Sequence, residues 1–149
     1  MSYTCLVRTM RDTGLWVKRL QMQHQRAAND ALAPLGLTLV QWDALRHLTA
    51  HPSASLHDLA QLTFQTDQSM GALASRLGAN GLVRRMVGPG RAVRHELTDK
   101  GVALCQAGTR VLDDVLAESF APLSERELAT LDGFLQRLVR APSNSGGGG

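Results

Sequence analysis

Residues 55–98, SLHDLAQLTFQTDQSMGALASRLGANGLVRRMVGPGRAVRHELT, constrain the fold most, because they set two short helices and a hairpin in direct succession. Ser55 with Asp58 three residues on is a capping-box pattern, in which each side chain satisfies a free amide of the first helical turn. Leu56, Leu59, Ala60 and Leu62 supply one apolar face to this short helix. A few residues later Thr66 can cap a second helix with Met70, Leu73 and Leu77 inward. Gly81 suits the left-handed backbone just beyond that helix.

The extended segments Leu82–Val87 and Ala92–Leu97 come next, joined by Gly88-Pro89-Gly90, a tip that can continue neither strand. Val93, His95 and Leu97 alternate with Arg94 and Glu96, as one strand of a half-buried ribbon should. The first strand alternates less cleanly, since Leu82 and Val83 are both apolar. Two helices about so tight a turn match a helix-turn-helix, whose second helix lies in a DNA major groove. The ribbon carries Arg84, Arg85, Arg91 and Arg94 and reads as a wing beside it.

Helical patterns flank this centre. From Leu6, apolar or small residues return at steps of four and three through Met10, Thr13, Val17, Leu20, His24, Ala27 and Ala31, until Pro34 and Gly36 stop the helix. A second helix begins at Thr38, with Trp42, Leu45 and Leu48 inward, and ends before Pro52. After the wing, Thr98 or Asp99 opens a long helix with Val102, Cys105, Leu112, Val115 and Leu116 at helical spacing, ending by Pro122. Ser124 and Glu127 form another capping box, and Leu128, Leu131, Leu135 and Leu138 line a last helix, with Phe134 beside them.

The expected fold is mainly α with a small β-wing. A dimerisation helix spans 1–37 and a winged helix-turn-helix spans 38–98, its recognition helix at about 66–80 and its wing at about 82–97. C-terminal dimerisation helices span 99–140, and the tail 141–149, without apolar content, is expected to be disordered. The terminal helices carry more apolar surface than so small a core can cover, and pairing with a second copy would bury it.

Composition fits this reading. Of 149 residues, 44% are hydrophobic but only 4% aromatic, so the core must come from Leu, Val, Ala and Met. Net charge is +3. The two cysteines, Cys5 and Cys105, are far apart and form neither a CxxC nor a disulfide framework. No run approaches the roughly 20 apolar residues of a membrane span, and the N-terminus lacks a signal-peptide core. A cytoplasmic protein with no cofactor, no metal and no membrane partner is expected. The absence of GxSxG, P-loop, GxGxxG and HExxH patterns argues against an enzyme.

At this point the chain resembles the MarR family of bacterial transcriptional regulators over nearly its whole length. The resemblance lies in LTLVQWDALRHL, SLHDLAQLT, SRLGANGLVRR, RAVRHELTDKG and PLSERELATLDGFLQRL. No single segment is specific; their joint order and spacing are. It implies a homodimeric winged helix-turn-helix repressor that binds pseudo-palindromic double-stranded DNA. Many members release DNA when a small aromatic or phenolic acid, or an oxidant, is sensed. By position, Arg91 matches the family's wing arginine, seven residues before Thr98. Arg76 matches a basic residue late in the recognition helix, and Gln68 and Ser69 match positions facing bases and phosphates. The chain departs from the family in having Pro89 where an acidic residue precedes the wing arginine, and Gly71 and Ala72 where Thr and Arg are common.

The residue types suit those roles. Arg84, Arg91 and Arg94 can neutralise phosphates, although strand alternation keeps Arg84 and Arg85 from facing the same ones. Gln68 can pair with adenine and Arg76 with guanine or phosphate. Ser55, Thr66 and Ser69 can bind phosphate at helix N-termini, and Ala72 can touch a thymine methyl. For an effector, the resemblance points to Trp16, His24, Trp42, Arg46 and His47, an indole and guanidinium set suited to an aromatic carboxylate. Each residue also has a plainer reading: a solvated arginine, a core tryptophan, a satisfied histidine. Two alternatives share the fold. A redox sensor would need an exposed, low-pKa thiol, whereas Cys105 lies on an apolar stripe and Cys5 precedes the position used by peroxide-sensing relatives. A protein-contact module would not need the basic wing.

Overall fold

Side-chain caps set most helix starts in this chain. The computed structural model of the protein describes residues 2–91 and 93–140, without the side chains of Arg91 and Arg140; the expected tail at 141–149 lies outside the described residues. Helix α1 (Tyr3–Leu32) runs into a single 3-10 turn (Ala33–Leu35), followed by α2 (Leu39–Ala50), α3 (Leu56–Leu62) and α4 (Asp67–Ala79). Strands β1 (Val83–Val87) and β2 (Val93–Leu97) come next, with a turn at Pro89–Arg91 between them, and α5 (Asp99–Phe120) and α6 (Glu125–Arg140) complete the order.

The expected capping boxes are present. Ser55 Oγ accepts from the Asp58 amide at 3.1 Å while the Ser55 amide donates to Asp58 at 3.0 Å. Ser124 and Glu127 repeat this at 3.0 and 3.1 Å. A further box joins Thr38 and Gln41 at the start of α2. Gly36 and Gly81 sit at φ 71° and 72°, where a Cβ would be strained, and they terminate the first 3-10 turn and α4.

Contacts divide the chain into one unit through Val115 and another from Leu116. The first holds the core, built from Leu32, Leu45, Leu59, Met70 and Leu77, each under 2% exposed, with Leu73, Leu82, Val83, Cys105 and Leu112 around them. Burying a side chain of this kind contributes about 1.5–3 kcal/mol. Helix α3 packs on α4, α2 on β2 and α4 on β1. The strands pair antiparallel, Val83 opposite Leu97, Arg84 opposite Glu96 and Arg85 opposite His95. His95 is buried, Val93 and Leu97 are half-buried, and Arg94 and Glu96 are exposed, so the alternation expected for β2 holds.

Several sequence expectations shift. Leu82 does not belong to the strand: its amide donates to the Leu77 carbonyl at 2.9 Å, closing α4, and its carbonyl accepts from Thr98 at 3.0 Å. Leu62 ends α3 and is exposed rather than inward. At the end of α1 the buried residues are Ala28 and Leu32, not Ala27 and Ala31; this end of the helix meets α2, and Leu32 also lies against α5 at Gly108. The α2 start is tied there by the Leu39 amide, which donates to Asn29 at 2.8 Å. Farther up α1, Leu6, Met10, Trp16 and Val17 are exposed. In the second unit the α6 face is exposed in the same way, Leu138 at 70%.

Two glycines permit close approach. A Cβ on Gly101 would collide with the Leu82 carbonyl, and one on Gly108 would lie 2.8 Å from Trp42 Cδ1 and 3.2 Å from Leu32. Both contacts lie within the first unit and set α5 against Leu82, just before β1, and against α2.

Candidate nucleic-acid interface

The start of α4 is built for polar contact. Thr66 Oγ1 accepts from the Ser69 amide at 3.0 Å and lies 2.9 Å from Ser69 Oγ. Two hydroxyls share one proton between them, so one proton remains to donate outward. Gln68, Ser69, Ala72 and Arg76 are all exposed along α4, while Met70, Leu73, Ala74 and Leu77 hold the opposite face in the core. Ser55, half-buried at the N-cap of α3, uses its lone pair on the Asp58 amide and keeps its proton.

On the hairpin, Arg84 and Arg94 are exposed, and cross-strand pairing puts Arg84, Met86, Arg94 and Glu96 on one face. Arg84 is engaged: its guanidinium donates to Glu96 at 2.8 Å. Arg85 occupies the other face with His95, whose imidazole is held below its ordinary pKa by burial first and then by the Arg85 charge. The side chain of Arg91, the expected wing arginine, lies outside the described residues.

Besides the Arg84–Glu96 pair, sequence reading missed an ionic link between the two short helices. His57 on α3 approaches Asp67, the first residue of α4, with Nδ1 2.9 and 3.2 Å from its two carboxylate oxygens. Hydrogen bonding to Asp67, then its charge, raises the His57 pKa. The spacing of ten residues carries no helical or strand periodicity, so no sequence pattern could have paired them. Between them the turn passes through Phe64, which is 94% exposed with φ at 55°.

Of the expected effector residues, three come together on α2. Arg46 donates twice to Asp43, at 2.8 and 3.2 Å, and its guanidinium carbon lies 5.4 Å from the Trp42 ring. Arg46 is also 3.0 Å from His47 Nε2. Trp42 itself donates to Thr109 at 3.2 Å. Burial, followed by the Arg46 charge, depresses the His47 pKa. Trp16 instead lines a depression of about 340 Å³ on α1 with Asp12, Leu15 and Arg19. His24 is half-buried on the same helix.

Concave space flanks α4. A cavity of about 570 Å³ has Leu37, Val40, Ser69, Ala72, Leu73 and Arg76 in its wall. Another of about 420 Å³ lies between α4 and the hairpin, with Gly71, Ser75, Arg85 and His95 in its lining. Cys105 is buried, and burial pushes its thiol pKa up, which disfavours the reactive thiolate; Cys5 is exposed. No helix among the described residues is long and apolar enough to cross a membrane.

Known proteins share this arrangement. Residues 35–92 match the sequence model of the MarR family. The HTH-type transcriptional repressor Rv2887 of Mycobacterium tuberculosis is 33% identical over 110 residues, covering 72% of this chain and 79% of that protein. The crystal structure of Rv2887, an M. tuberculosis MarR family protein, in complex with p-aminosalicylic acid has a TM-score of 0.74 at 28% identity, over 85% of this chain and 97% of that one. Its complex with DNA gives a TM-score of 0.71 at 27% identity, over 84% and 95% of the two chains. With its paired short helices, two-stranded wing and flanking helices, the chain belongs to the MarR family of winged helix-turn-helix transcriptional regulators.

Proposed function

We propose that the protein is a homodimeric, sequence-specific repressor that acts in the cytoplasm on a pseudo-palindromic operator and releases it when a small aromatic acid binds. The observation that carries this reading is the exposed polar face of α4, with Gln68, Ser69 and Arg76 outward, set beside a hairpin bearing Arg84 and Arg94. Rv2887, crystallised with DNA and with p-aminosalicylic acid, supports both halves of it.

In this reading α4 enters the major groove. Gln68 and Arg76 contact base edges, Ser55, Thr66 and Ser69 hold phosphates, and Ala72 lets the backbone approach a thymine methyl. Arg84, Arg91 and Arg94 release counterions along the flanking groove. A second copy covers the apolar faces left open on α1 and α6, so residues 1–37 and 99–140 serve dimerisation and 38–98 read DNA. Two-fold symmetry then spaces the half-sites by roughly 10 bp.

For the effector, Trp42, Arg46 and His47 offer an aromatic and cationic surface, with Trp16 and His24 on α1 as further contacts. The cavity beside α4 is the better-supported place, because Ser69, Ala72 and Arg76 belong both to its wall and to the proposed DNA surface. A carboxylate paired with Arg76 there would compete directly with the operator.

Selection from a random duplex pool, followed by gel shifts of the enriched sequence, tests the reading. Expected are a two-fold symmetric motif, a steep loss of affinity with salt, and release by salicylate. A monomer that enriches no sequence at low ionic strength would overturn it.

A further inference from the structure

The His57–Asp67 link stands where the proposed DNA surface should be positive, and it places a carboxylate there. Asp67 is the first residue of α4, with its side chain 69% exposed, adjacent to Gln68 and Ser69. An acid at this position interacts favourably with the helix dipole, but the dipole needs no partner on another helix. His57, itself 63% exposed, supplies one: a single nitrogen, Nδ1, faces both oxygens. That grip restrains the carboxylate and leaves further lone pairs on both oxygens of an exposed side chain.

We propose that Asp67 reads the amino group of a cytosine in the major groove, and that His57 is its positioning residue, orienting the carboxylate and offsetting its charge against the DNA phosphates. The assignment rests on the DNA-binding reading above. An aspartate in the groove can only accept, and the cytosine N4 amino group is the donor that an acidic side chain reads there. Unaccompanied, it would be repelled by the phosphates on either side. A protonated imidazole within hydrogen-bond reach removes that repulsion and makes an acidic reader tolerable in a basic interface. The charged groups bearing on His57 are Asp67 from α4 and Asp58 from its own helix, both acidic, and both favour the protonated ring.

Random-duplex selection with full-length protein tests the assignment, because asparagine at the same place reads adenine instead. Wild type should select cytosine at one symmetric pair of positions. Asp67→Asn should switch that pair to adenine and keep the remaining motif, with discrimination at the switched pair changing about tenfold. His57→Ala should weaken the cytosine preference without replacing it. Wild-type affinity should fall as pH rises from about 6 to about 8.5, and His57→Arg, always charged, should bind without that fall. If Asp67→Asn selects the same bases as wild type at every position, the assignment is overturned while the DNA-binding reading stands. If wild type enriches no duplex at all, that reading falls and this one with it.

Discussion

Arg84 and Glu96 are joined at 2.8 Å across the hairpin, on the strand face that also presents Arg94. An exposed arginine of the wing is therefore matched by an acid of the same chain. Both side chains are exposed, so the pair adds little to stability, about 0–1 kcal/mol. In the proposed interface its larger consequence is electrostatic, since Glu96 would offset charge that Arg84 offers to the phosphates.

Glu96→Gln is accordingly expected to tighten DNA binding and to increase the slope of log affinity against log salt by about one. Thermal unfolding should change little. Gel shifts across a salt series give both quantities.

Arg91→Ala should act in the opposite direction. As the expected wing arginine it should weaken binding to all duplexes about equally and reduce the salt slope by about one. Unchanged affinity at matched salt would remove Arg91 from the interface.

Phe64 occupies a left-handed conformation at φ 55° with its ring in solvent, so no burial compensates the backbone cost. Phe64→Gly should therefore stabilise the fold by about 1 kcal/mol, read as a higher urea midpoint with the same slope.

Gly101→Ala should do the reverse, because its Cβ meets the Leu82 carbonyl, a backbone atom already bonded to Thr98. Separating α5 from Leu82 should lower stability by about 1–3 kcal/mol in the same urea titration.

His95 gives a pH dependence of known sign. Burial and Arg85 depress its pKa below 6.5, so below that value the unfolded chain takes up the proton before the folded one does. Stability from this group is present above pH 6.5 and is lost as pH falls towards the folded pKa. Between about pH 7.5 and about pH 5.5 the denaturation midpoint should fall more for wild type than for His95→Leu.

Much of the fold is legible in short-range sequence because its signals are local. Ser55 with Asp58, Thr66 with Ser69, and Ser124 with Glu127 act within one helical turn, and Gly36 and Gly81 act through their own backbone angles. The period of two in Val93, His95 and Leu97 likewise survives into the folded strand. Patterning says less where a face lacks a neighbour among the described residues, as on α1, whose buried positions Ala28 and Leu32 lie only at the end that packs on the core.

The amino-acid sequence by itself determined where helices start and stop, which strand face turns inward, and that the exposed face of α4 is polar. Only the tertiary structure decided which charges are already matched and which small residues lie beneath a neighbour. Arg84 with Glu96, His57 with Asp67, Trp42 with Thr109 and Gly101 with Leu82 are each ten or more positions apart. Such contacts depend on how separate elements pack, and no repeat along one helix or strand encodes them.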